Sequence, residues 1–226
     1  SISNVTIMQS TFDGQRFVGG FTGQSAANIT INGCQENNVN IKAATNWTGG
    51  FIGYLSKTAT FKNCQANEVN ILGLYAGGLV GAIDGNIIAS NMDLSNMRIV
   101  TTQNNDVGCA GLITGNNKKI SINCYNILAD SCKTGYSNVS DVKDLQTAKL
   151  TQIKTSGLWI GINGVNTTTK LVAVAAKGGV FPQKDIGTDS ANATIIYADK
   201  TAEKKYMPSN STAKPSSSAN PWLDVN

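Results

Sequence analysis

The chain has 226 residues, 41% of them hydrophobic and only 14% charged, with a formal net charge of +4. An average globular domain is roughly 25% charged; here Gly, Asn, Thr and Ser stand in for the missing charges, which favours short strands and turns over long helices. The scattered basic residues form no stripe that nucleic acid would need, no run approaches the roughly 18 apolar residues of a membrane-spanning helix, and without histidine or a C-x-x-C pair no metal site or cofactor is expected.

Self-similarity is the dominant signal. The first element places Phe12 seven residues after Val5 and is followed by Gly19-Gly20-Phe21-Thr22-Gly23. The second has Ile29-Thr30-Ile31, then Cys34 with Ile41 seven residues on, then Gly49-Gly50-Phe51-Ile52-Gly53. The third repeats this as Cys64, Ile71 and Gly77-Gly78-Leu79-Val80-Gly81. In the fourth, Met92 and Ile99 keep the spacing, and Ala110-Gly111-Leu112-Ile113-Thr114-Gly115 reads as a copy one residue longer. A fifth glycine copy is read at Ile160-Gly161-Ile162-Asn163-Gly164. Asn4, Asn63, Asn91 and Asn123 directly precede Val5, Cys64, Met92 and Cys124.

Within a period of about 30 residues, the second one divides into Ile29–Ile31, Val39–Ile41 and Gly49–Leu55. Turn-forming Asn32-Gly33, Ala44-Thr45-Asn46 and Ser56-Lys57-Thr58 separate the pieces. Such short strands bury an apolar face only by stacking coil on coil. The expected fold is all-β: a right-handed parallel β-solenoid with three short strands per coil, about five coils and a C-terminal cap. Asn and Gly at the corners tolerate the positive φ that sharp turns require.

From Cys132 to about Ser156 the period is interrupted by an insertion, either a helical excursion or a long loop. Leu158–Gly164, Lys170–Ala176 and Ala193–Ala198 read as further strands of a terminal coil and cap, since an open coil end exposes a sheet edge. Residues 1–200 are thus one repeat domain, and 201–226, with Lys204-Lys205 and the Ser/Pro-rich run from Pro208 to Pro221, a flexible tail or linker. Ser1 already lies within the repeat and no signal peptide precedes it, so the chain is expected to be a mature or trimmed product.

The motifs resemble those of the GLUG-motif proteins, named for Gly, Leu, a hydrophobic residue and Gly. Gly78-Leu79-Val80-Gly81 matches literally, Gly50-Phe51-Ile52-Gly53 closely, and Asn63-Cys64 and Asn123-Cys124 match the element that follows. The resemblance covers about residues 1 to 165. It implies a bacterial surface or adhesin-type β-solenoid, extracellular or on the cell surface, that accompanies catalytic domains without forming one. Seven sequons, from Asn4 to Asn210, would carry glycans only in a eukaryotic source.

Phe17, Trp47 and Tyr75 each lie two residues before the first glycine of their motif, so they are expected to stack about 4.8 Å apart as a column. Strict alternation places Phe21, Phe51 and Leu79 on the same side as that column. The column is either a ladder inside the coil or a flat outward patch suited to a surface glycan or protein ligand. Cys34, Cys64, Cys109, Cys124 and Cys132 are expected to be buried free thiols, since an odd, widely spaced set describes no disulfide framework.

Catalysis is not expected. A glycosidase needs two facing carboxylates, and Asp13, Glu36, Glu68, Asp84, Asp93 and Asp106 read as scattered solvated turn residues. The absence of histidine excludes a Ser/His/Asp triad within this chain. A carbohydrate-active lyase using Lys or Arg remains an alternative, although Arg16 and Arg98 stand far apart. Self-association end to end into a filament is a further alternative. Ice binding is disfavoured because a Thr column at Thr30 and Thr60 ends at Ile88 or Ala89.

Overall fold

The computed structural model is an all-β parallel solenoid of about five coils, described for residues 1–105, 107–117, 121–163, 168–177, 185–188, 193–198 and 214–215. Its strands stack into three sheets of 13, 4 and 6 strands, and every pairing between named strands is parallel. In the second coil, Ile29–Asn32 and Gln35–Ala43 belong to the first sheet, Trp47–Gly49 to the second and Ile52–Leu55 to the third. The segment expected to run extended from Gly49 to Leu55 is therefore bent at Gly50 and Phe51 into strands of two sheets. Glycine permits that bend because the sheets nearly touch there: a Cβ on Gly53 would lie 2.5 Å from Gly23 O and 2.6 Å from Val18 N.

The registers correct the phase of two glycine copies. Gly77 pairs with Gly111 and Val80 with Thr114, so Gly111-Leu112-Ile113-Thr114-Gly115 is a copy of unchanged length in which Leu112 replaces the second glycine. Thr114 pairs with Ile160, which makes Gly157-Leu158-Trp159-Ile160-Gly161 the fifth copy, and not the run from Ile160 to Gly164. The constant positions are the first and last glycines of the motif, where side chains would meet neighbouring backbone.

Two corners of each coil use left-handed backbone. One column holds Asn4, Gly33, Asn63, Asn91, Asn126 and Ala173, all with φ between 53° and 63°. Asn tolerates this conformation by hydrogen-bonding locally, and here the amides also bond rung to rung: Asn126 Nδ2 donates to Asn91 Oδ1 at 2.9 Å, and Asn91 Nδ2 to Asn63 Oδ1 at 3.0 Å. The second column holds Gln9, Asn38, Glu68, Asn96 and Ser131. Asn126-Ile127, not Asn123-Cys124, therefore continues the Asn-Cys element. Cys34, Cys64, Met92, Ile127 and Val174 form one inward column, while Cys124 lies over Ala89. All five cysteines are buried and none forms a disulfide, and the Cys64 thiol donates to Lys62 O at 3.1 Å.

The interruption starts later than expected: Lys133–Tyr136 is a strand paired with Arg98–Thr101, and the loop that follows it carries a single 3₁₀ turn, Val142–Gln146, capped by Asp141, whose carboxylate accepts from Lys143 N at 3.0 Å. Val142 and Leu145 pack on Leu72 and Val100, a small apolar cluster outside the main core. Along this outward column Asp13 and Lys42 give way to Leu72 and Val100 where the loop covers the sheet. Beyond it, Ile160–Asn163, Thr168–Lys177, Ile186–Thr188 and Ala193–Tyr197 extend the stacks. The tail read at 201–226 lies outside the described residues, except for Lys214–Pro215, paired with Ile196–Tyr197.

Candidate functional site

In the second sheet Val18, Thr48, Ala76 and Ala110 point inward and are buried, so Phe17, Trp47 and Tyr75 face outward, where each is half-buried. Phe17 pairs with Trp47 and Trp47 with Tyr75 in register. The rings stack: Phe17 and Trp47 have centroids 4.9 Å apart at 17°, and Trp47 and Tyr75 are 6.0 Å apart at 25°. The aromatic run ends at Cys109 on the next rung. The Arg16 guanidinium carbon lies 5.3 Å from the Phe17 ring centroid, close enough for a cation–π contact.

Phe21, Phe51 and Leu79 do not share this face. Phe51 and Leu79 are fully buried in the core, with Phe51 edge-on to Phe61. The bend after the first glycine re-aims the chain, so period-two alternation fails across it.

The structure adds residues that sequence spacing did not flag. Tyr54, from the third sheet, stacks on Trp47 at 4.8 Å and 25° and lies 5.7 Å from Phe17. Its hydroxyl donates to Asp84 Oδ2 at 2.6 Å; that bond and burial push the phenol up to about 12. Beside the rings is a groove of about 260 Å³ lined by Trp47, Tyr54, Asp84 and Asn116, with Ala82 and Ile83 as its apolar part. Asn116 is 3% exposed and its Oδ1 is buried without a hydrogen-bond partner. Tyr54 and Asn116 share a column with Gln24 and Ala82, so no aromatic repeat announces them.

The carboxylates fall on different columns. Glu36 is not a solvated turn residue: it points inward, is 1% exposed, and neither of its oxygens has a partner. Its position in the coil is otherwise held by Ile7, Ala66 and Leu94. Glu68 is exposed, Asp13 pairs with Lys42 at 3.8 Å, and Asp106 lies outside the described residues. Burial raises Asp93, with a smaller push from Asp130, which itself pairs with Lys177 at 3.5 Å. Arg16 sits beside Phe17, whereas Arg98 lies under the insertion. Among the described residues no group of three or more His, Cys, Asp or Glu could hold a metal ion, and no helix is long and apolar enough to cross a membrane.

Comparison of the chain with protein-family models, with curated proteins and with solved structures finds no match.

Proposed function

We propose that this chain is a non-catalytic binding module, presented outside the cell, whose aromatic strip receives a glycan. The observation that carries this is the meeting, in the lining of one groove, of stacked, half-exposed rings with Asn116, a residue whose buried amide oxygen has no hydrogen-bond partner. Ring faces suit the apolar C–H face of a pyranose. A buried acceptor without a donor is costly, and a sugar hydroxyl supplies one; Asp84 offers a second acceptor at the rim. Such sites combine apolar walls with a few placed polar groups. The likeness of the glycine motif to GLUG repeats supports the same reading.

The test is a titration of the full chain against a panel of neutral oligosaccharides, followed by Trp47 fluorescence and calorimetry. A ligand should bind, and Trp47→Ala should weaken it about tenfold or more, from loss of a stacking surface in a desolvated site. Asn116→Leu should weaken the same ligand without unfolding the chain. Absence of any glycan ligand, or a Trp47→Ala variant that binds as tightly as the parent, overturns the reading.

A further inference from the structure

We infer that the outer face of the first sheet, where the insertion crosses it, is a second binding site, for a carboxylate-bearing oligosaccharide. Arg98 and Lys133 are register partners on adjacent strands, so two cations rise from one outward column with backbones about 4.8 Å apart. Among the described residues neither forms an ion pair with a carboxylate. Both residues line two depressions flanking the insertion, of about 550 and 280 Å³, and Lys149 adds a third cation to the smaller one. Like charges stacked on consecutive rungs repel each other, and a bound anion relieves that repulsion.

The rest of the lining indicates what kind of anion. Asn70, Asn96, Ser131 and Gln146 surround the cations in the larger depression and suit sugar hydroxyls. No aromatic residue lines either depression, so nothing there would stack a nucleobase, and two or three cations are too few to track a phosphate backbone. Arg98 already donates from Nη1 to Leu145 O at 2.6 Å and to Ala148 O at 3.3 Å. Its fork is thereby held rigid, and its remaining N–H groups can meet a carboxylate. Glu68 is the one carboxylate lining the larger depression. The insertion is also the main break in the repeat, and in solenoids insertions tend to gather on a binding face.

The site does not depend on the aromatic strip, and its test separates the two. The full chain is titrated by calorimetry with galacturonate oligomers at low and high salt, with a neutral oligosaccharide, inorganic sulfate and single-stranded DNA as comparisons. Galacturonate oligomers should bind, more weakly as salt rises, and more tightly than the other three probes. Lys133→Gln, a half-exposed position, should weaken binding roughly tenfold while the circular dichroism spectrum is retained. Glu68→Gln should tighten it, and Trp47→Ala should leave it unchanged. An unaltered affinity in Lys133→Gln, sulfate or DNA bound as tightly as the oligomers, or loss of acidic-sugar binding in Trp47→Ala would each overturn the proposal.

Discussion

Replacing Glu36 by leucine should stabilise this protein, and the gain should grow with pH. The carboxyl is buried among apolar side chains with no hydrogen-bond partner on either oxygen, and burial holds its pKa well above the ordinary value. Even in its neutral form, a buried polar group without a partner costs about 1–3 kcal/mol. Leucine is compatible with the column, because Leu94 occupies the same position two rungs away. A group whose pKa is raised by folding binds its proton more tightly in the native state. Its contribution is fully present below the unfolded-state value, about 4.3, and is lost as pH rises toward the folded-state value. Over that window the parent loses about 1.4 kcal/mol per pH unit from this one residue.

Asp185, raised by burial to about 6, and Asp93, raised by burial, act in the same direction, so the parent's own pH profile does not isolate Glu36. The difference between parent and Glu36→Leu does, because those groups are common to both. Urea unfolding followed by circular dichroism at pH 4.5, 5.5 and 6.5 should give a higher midpoint for the variant at each pH, with the gap widening upward. A gap that is constant with pH, or a variant less stable than the parent at pH 6.5, would refute the reasoning.

Two stability predictions follow from the backbone. Gly78→Val should cost about 1–3 kcal/mol or more through overpacking and lost backbone freedom, because even a Cβ there would approach Leu112 C to 3.0 Å and its carbonyl oxygen more closely; a thermal midpoint equal to the parent's would contradict the close approach. Asn91 has φ of 55° and is bonded on both sides in the asparagine ladder, so Asn91→Ala should cost about 1–2 kcal/mol. Asn91→Gly should cost less, since Gly33 already serves the same corner at φ 63°; chemical denaturation of the pair checks the order.

The repeat was legible because a solenoid writes its cross-section into sequence: residues that share a corner or an inward column recur at the coil period. The pairings of Val5 with Cys34, Cys34 with Cys64, and Cys64 with Met92 were readable for that reason, as was the Phe17–Trp47–Tyr75 stack. Spacing from the second glycine misphases copies four and five, because that column also accepts Leu112 and Leu158. The glycines kept in every copy, the first and last of the motif as in Gly49 and Gly53, are pressed against the backbone of another sheet. Glu36 reads as a surface residue because a carboxylate is ordinarily one, and only the register shows that it shares a column with Ile7 and Leu94.

Departures from column pattern carry more information than the pattern itself. In an unmodified stack, each outward column would stay polar from end to end, as solvent requires of every rung alike. The change from Asp13 and Lys42 to Leu72 and Val100 marks the place where the insertion lies on the sheet. The next outward column changes from Asn40 and Asn70 to Arg98 and Lys133 on the rungs that border that insertion. A ladder of matched amides, such as Asn70 Nδ2 to Asn40 Oδ1 at 3.0 Å, satisfies itself. A pair of stacked cations does not, and continuing the same ladder would have been the stabler choice. The repeat thus gives up a self-satisfied column on the two rungs where the loop makes a cleft: the insertion accounts for Leu72 and Val100, and for Arg98 through Leu145 O and Ala148 O, which leaves the second cation, Lys133, as the change that a bound anion would explain.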